Sequence, residues 1–122
     1  MSGILIIEDT KEDLERARDI LTGSGYQVTG IAPDGESGIE KYCEISPDLV
    51  IIDLILPGMN GIDVLHAIRN ENPNARIILC TSAGQGTVID LAMRSGANGY
   101  VVKPYDPEIL LSAVRRISGS PG

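Results

Sequence analysis

Phenylalanine and tryptophan are absent from this chain, and its aromatic side chains are four tyrosines. The core must therefore be built from aliphatic side chains. Positive charge is also scarce. Ten Lys and Arg stand against seventeen Asp and Glu, a formal net charge of −7 over 122 residues. Binding a phosphate backbone needs a basic footprint, and no basic run exists, so no direct nucleic-acid partner is expected. The two cysteines, Cys43 and Cys80, lack the spacing of a disulfide or metal pair. Both lie in apolar segments and are expected as buried free thiols. The one histidine, His66, stands in a helical stretch without a partner motif and is expected to face solvent. No apolar run approaches the ~20 residues of a membrane span. The start, Met1-Ser2-Gly3-Ile4-Leu5, lacks the basic region and apolar core of a signal peptide. The expectation is one soluble, cytoplasmic domain without a membrane partner.

What is present is an alternation. Short β-rich apolar runs at Ile4–Ile7, Gln27–Ala32, Leu49–Ile52, Arg76–Cys80 and Tyr100–Val102 are separated by segments of helical period. Thr10 is placed to cap the first helix, which carries Leu14, Ala17, Ile20 and Leu21 on one face and stops at Gly23 and Gly25. Pro33-Asp34-Gly35 reads as a turn, and Ile39, Tyr42 and Cys43 mark the second helix. Ile62, Leu65 and Ile68 mark the third, with Met59 and Met93 expected to pack. Gly84 and Gly86 read as a loop before a helix at Val88–Arg94. Pro107 starts the last helix, with Arg115 and Arg116 on a solvated face, and residues 118–122 read as a frayed tail after a core of about 4–117. Strict alternation implies an α/β fold: a five-stranded parallel sheet with five helices on both faces. The strands are continuous rather than alternating apolar runs, as expected when both faces of a sheet are covered.

Asp53 is out of place in this pattern. It follows Leu49-Val50-Ile51-Ile52 and precedes Leu54-Ile55-Leu56. An unpaired buried carboxylate costs several kcal/mol or shifts its pKa until neutral, so the chain must end a strand there or supply a cation. In a doubly wound sheet, ligands sit beyond the carboxyl ends of the strands. Those ends carry Glu8 and Asp9, then Asp53, then Thr81 and Ser82, then Lys103. Glu8 taken alone fits a first-turn acid favoured by the helix dipole. Taken together, three carboxylates invite a hard cation, and Mg²⁺ suits oxygen ligands shared with a phosphate. Lysine offers a point charge to a phosphoryl oxygen. The set describes phosphoryl transfer to a carboxylate, with Asp53 as nucleophile. No G-x-x-x-x-G-K-[ST] loop is present, so the donor is not expected to be a nucleotide bound in this domain.

Glu8-Asp9, Asp53 with Leu54-Ile55-Leu56-Pro57-Gly58-Met59-Asn60-Gly61, Thr81 and Lys103-Pro104 resemble the receiver domains of two-component response regulators. The likeness runs from about Ile4 to Ile117 and is similar to the single-domain, CheY-like members. It implies a flavodoxin-like sheet of strand order 2-1-3-4-5. It implies that Asp53 accepts a phosphoryl group from a histidine kinase or phosphotransfer protein. Mg²⁺ would be held by Glu8, Asp9, Asp53 and the backbone carbonyl of Ile55. Thr81 and Lys103 would bind the phosphoryl oxygens, with Lys103-Pro104 as a cis peptide. Tyr100 stands either as core or as a switch that turns inward when Thr81 moves. A downstream protein would dock on the face of the fourth helix, fifth strand and fifth helix, the chain being a monomer or a phosphorylation-dependent dimer.

Two small departures bear on the family pattern. Glu8 stands where many members have Asp, and Ile55 and Ala83 flank the phosphoryl position with apolar groups. A bulky Ile55 should hinder in-line attack by water and lengthen the phosphorylated state. The implied role is a signalling module, not an enzyme acting on other substrates. Alternatives are a phosphorelay intermediate or the receiver part of a longer DNA-binding or enzymatic regulator. An aspartyl-phosphate phosphatase of the D-x-D type would need a second acid where Ile55 stands. A flavin-binding domain would need a phosphate loop where Glu8-Asp9 repel phosphate.

Overall fold

Ten elements alternate along the computed structural model, which describes residues 3–82 and 86–121. They are β1(Ile4–Ile7), α1(Lys11–Gly23), β2(Val28–Ala32), α2(Gly35–Ile45), β3(Leu49–Asp53), α3(Gly61–Glu71), β4(Ile77–Thr81), α4(Gly86–Arg94), β5(Gly99–Val102) and α5(Pro107–Ser118). The five strands form one parallel sheet in the order β2-β1-β3-β4-β5. That is the fold class expected from the alternation and the strand order that the receiver resemblance implies.

Successive residues of a strand point to opposite faces, so each continuous apolar run feeds two cores at once. Ile4, Ile6, Leu49, Ile51, Ile78 and Val101 pack with Ala17 and Leu21 of α1 and Leu110 and Val114 of α5. Leu5, Ile7, Val50, Ile52, Ile77 and Leu79 pack with Tyr42 of α2, Val64, Leu65 and Ile68 of α3 and Ala92 of α4. Each fully buried Ile or Leu contributes roughly 1.5–3 kcal/mol over leaving it exposed. Three tyrosines enter these layers and keep a polar partner. The Tyr26 hydroxyl donates to the Gly119 carbonyl, the Tyr42 hydroxyl accepts from Asn72 Nδ2, and Tyr105 lies against Cys80.

Several local expectations are corrected. Only β1, β3 and β4 are buried throughout; β2 and β5 are edge strands with outward residues in or near solvent. Each has a neighbouring strand along only one edge, so the helical layers cover it less completely. Thr10 occupies the N-cap position of α1 without a side-chain cap bond, and its amide donates instead to Glu8 Oε2 at 3.3 Å. Among the described residues, side-chain caps are provided by Asp34, Asn60 and Asp106. Gly86 belongs to α4 rather than to a loop, while Gly84 and Ala83 lie outside the described residues. Cys43 is exposed, not buried, because it sits on the outer face of α2; Cys80 is buried. Met93 is exposed, whereas Met59 packs at the core margin. His66, Arg115 and Arg116 are exposed, in line with the sequence reading. The tail begins after Ser118 and is held at Gly119 by Tyr26. Among the described residues no helix is long and apolar enough to cross a membrane.

Candidate functional site

The parallel register places Glu8, Asp53, Thr81 and Lys103 at one edge of the sheet. Asp53 is the last residue of β3, paired with Cys80, and the Leu54 amide still donates to the Cys80 carbonyl. Its carboxylate is therefore held by the ladder rather than by a flexible loop. Gly61 fixes the turn behind it. The Gly61 amide donates to the Leu54 carbonyl at 2.8 Å, and a Cβ at Gly61 would lie 2.5 Å from the Asp53 carbonyl oxygen. Only glycine permits that approach. The expected Lys103-Pro104 cis peptide is present.

Lys103 is the hub of the cleft. Its Nζ lies 3.0 Å from Glu8 Oε1, 2.9 Å from Asp13 Oδ2 and 3.0 Å from Asp53 Oδ2. The Ile55 amide donates to the other Asp53 oxygen, Oδ1, at 3.2 Å. Burial alone would lower the lysine pKa, but the hydrogen bonds its ammonium donates to Asp13, Glu8 and Asp53 outweigh it and hold the pKa above its ordinary value. Burial pushes Glu8 up to about 7; Asp53 beside it adds to the rise and Lys103 opposes it. One ammonium faces Glu8, Asp13 and Asp53, with Asp9 nearby, so the cleft carries surplus negative charge.

Glu8, Asp9 and Asp53 each offer a carboxylate oxygen within 4.8 Å of the other two. Octahedral Mg²⁺ at about 2.1 Å from each ligand places trans oxygens roughly 4.2 Å apart. Small side-chain shifts close that gap, so hard oxygen donors, surplus charge and spacing all fit a divalent cation. The adjoining cleft is about 430 Å³ and is lined by Asp9, Thr10, Asp13, Asp53, Ile55, Ser82, Lys103 and Pro104. Ser82 is on its wall, while Thr81 is 4% exposed at the end of β4. Ile55 stands at the mouth, 66% exposed.

Tyr100 is not core. It is 40% exposed and lines a second cleft with Val102, Ile109 and Arg116 on the β5–α5 face. Two residues of the primary site escaped the sequence reading. Asp13, in the first turn of α1, is separated from Lys103 by 90 positions, and no local pattern announces that pair. Tyr105 is buried behind the lysine, and its backbone carbonyl accepts from Arg16 Nε at 2.9 Å. A first-turn acid of α1, four positions after Asp9, was the one available signal for Asp13.

Residues 4–115 match the response regulator receiver domain family. The chain is 38% identical over 115 residues to the chemotaxis protein CheY of Thermotoga maritima, covering 94% of this chain and 96% of that one. It is 37% identical over 112 residues to the DNA-binding response regulator MtrA of Mycolicibacterium smegmatis, covering 92% of this chain and 48% of that one. A chain from the crystal structure of the CheX-CheY-BeF3-Mg+2 complex of Borrelia burgdorferi superposes with a TM-score of 0.88 at 30% identity, over 93% of this chain and 86% of that one. The match begins at the first residue of β1 and ends within α5, so it spans every strand that contributes to the acidic cleft: the chain belongs to the response regulator receiver family.

Proposed function

We propose that this receiver takes a phosphoryl group onto Asp53 from a histidine kinase or phosphotransfer protein and relays that state to a partner. The observation that carries the reading is the ammonium of Lys103 3.0 Å from Asp53 Oδ2, inside a pocket with carboxylates in excess. An Asp53 oxygen forms the new P–O bond as the donor's P–N bond breaks, and the imidazole leaves with the electron pair. Lys103 donates to the transferring group and offsets its charge. The Thr81 hydroxyl is assigned to a further phosphoryl oxygen. Glu8, Asp9, Asp53 and the Ile55 backbone carbonyl are the residues assigned to Mg²⁺, which would supply Lewis-acid neutralisation of the phosphoryl oxygens.

Phosphorylation replaces about one negative charge on Asp53 with about two and adds acceptor oxygens. Thr81 is drawn toward them, and Tyr100, now exposed, moves inward behind it. The α4–β5–α5 face then changes. Leu91, Met93, Tyr100, Val102 and Ile109 leave apolar surface exposed there, which suits a protein partner. The module works by population shift rather than turnover of an external substrate, catalysing only its own phosphorylation and slow dephosphorylation.

Incubation with Mg²⁺ and acetyl phosphate, followed by intact mass, tests the reading. The native chain gains one phosphoryl group and Asp53→Ala gains none. A native chain without an adduct, or an undiminished adduct on the variant, overturns it.

A further inference from the structure

We propose that Asp13 is a positioning residue for Lys103: a latch that occupies the lysine before phosphorylation and must let go for transfer. The inference rests on the phosphoacceptor reading of Asp53 and deepens it. An ammonium has three hydrogens to donate. All three are matched by carboxylates, on Glu8, Asp13 and Asp53. A hydrogen bond to a phosphoryl oxygen therefore requires one of these to be surrendered.

Burial decides which one. The side chains of Glu8 and Asp53 are 1% and 7% exposed, and Asp13 is 27% exposed. Glu8 and Asp53 are shut off from water and stay tied to the cation position and to Lys103, whereas Asp13 at the cleft rim regains water on release. Asp13 is also outside the trio whose oxygens gather at the candidate cation position. It is on α1, while Lys103 follows β5. Arg16, one turn further along α1, holds the Tyr105 carbonyl at 2.9 Å, so the loop keeps its place while the ammonium swings from acid to phosphoryl group. Phosphorylation thus loosens one side-chain tie between α1 and the β5–α5 connection.

The test measures phosphorylation rates with acetyl phosphate at saturating Mg²⁺ by intact mass, with thermal unfolding as a folding check. Asp13→Asn keeps the shape and removes the charge-assisted bond. It should phosphorylate about two- to fivefold faster than the native chain, the worth of a partly exposed ion pair. Asp13→Glu restores a carboxylate and should return the rate toward native. Glu12→Gln removes the same unit charge from the neighbouring position without a bond to Lys103, and should leave the rate unchanged. In a Lys103→Met background, the Asp13→Asn effect should vanish. Equal acceleration by Glu12→Gln, or acceleration that persists without the lysine, reduces the effect to net charge and overturns the latch. A native chain that phosphorylates while Asp13→Asn matches its rate overturns the latch alone. A native chain that gains no phosphoryl group overturns the phosphoacceptor reading and the latch with it.

Discussion

The acidic cleft lies just beyond the carboxyl end of β5, the β5–α5 groove runs along that strand and α5, and the two differ in physical character. In the cleft, Glu8, Asp53 and Lys103 are buried, charged and mutually bonded. In the groove, Tyr100, Val102 and Ile109 expose apolar surface, with the charged Glu108 and Arg116 beside them. Buried charge is strongly coupled, because low dielectric magnifies each interaction and penalises each missing one. Exposed apolar surface has little internal coupling and gains only when something covers it. The cleft is thus built for chemistry and the groove for recognition.

The contrast is sharpest at the phosphoacceptor. Asp53→Asn should abolish the acetyl phosphate adduct while the chain still folds, as intact mass and circular dichroism would show. Ile109→Glu, in the groove, should leave the adduct intact; loss of phosphorylation there would break the division of labour. Gly61→Ala should come next in size. A methyl 2.5 Å from the Asp53 carbonyl oxygen forces the backbone to move, at a cost of about 1–3 kcal/mol. Urea unfolding measures that loss, and a slower phosphorylation rate would place the displacement at Asp53. Ile55→Asn should be milder: the fold is unaffected, and hydrolysis of the phosphorylated chain speeds up because the exposed apolar shield at the mouth is gone. Mass loss over time after donor removal checks it, and an unchanged lifetime counts against the shield. The smallest effect is chemical. A thiol reagent should label Cys43 alone in the native chain, because Cys80 is fully buried and burial pushes its thiol up to about 12. Two labels before unfolding would show that the core behind the cleft opens.

Much of this is legible in the sequence. Ile4–Ile7, Leu49–Ile52 and Tyr100–Val102 announce strands because β-branched apolar runs are local signals, and alternation with helical periods dictates a parallel sheet. Asp53 was legible because a carboxylate after four apolar residues needs a reason. Other features were not. Cys43 and Cys80 were both expected to be buried, yet one faces water on α2 and the other the core of β4. Tyr100 and Tyr105 are five positions apart; the edge position of β5 exposes the first, and the packing of α5 buries the second. Asp13 reads as an ordinary first-turn acid until Lys103 is placed beside it.

The sequence by itself determined the order of elements, the parallel sheet and the residue types at its carboxyl edge. These follow from short-range periodicity, which each segment carries alone. Only the tertiary structure decided that Lys103 divides its three donors among Glu8, Asp13 and Asp53, and that Tyr100 remains outside. Those outcomes depend on distances between segments up to 95 positions apart and on which of them excludes water.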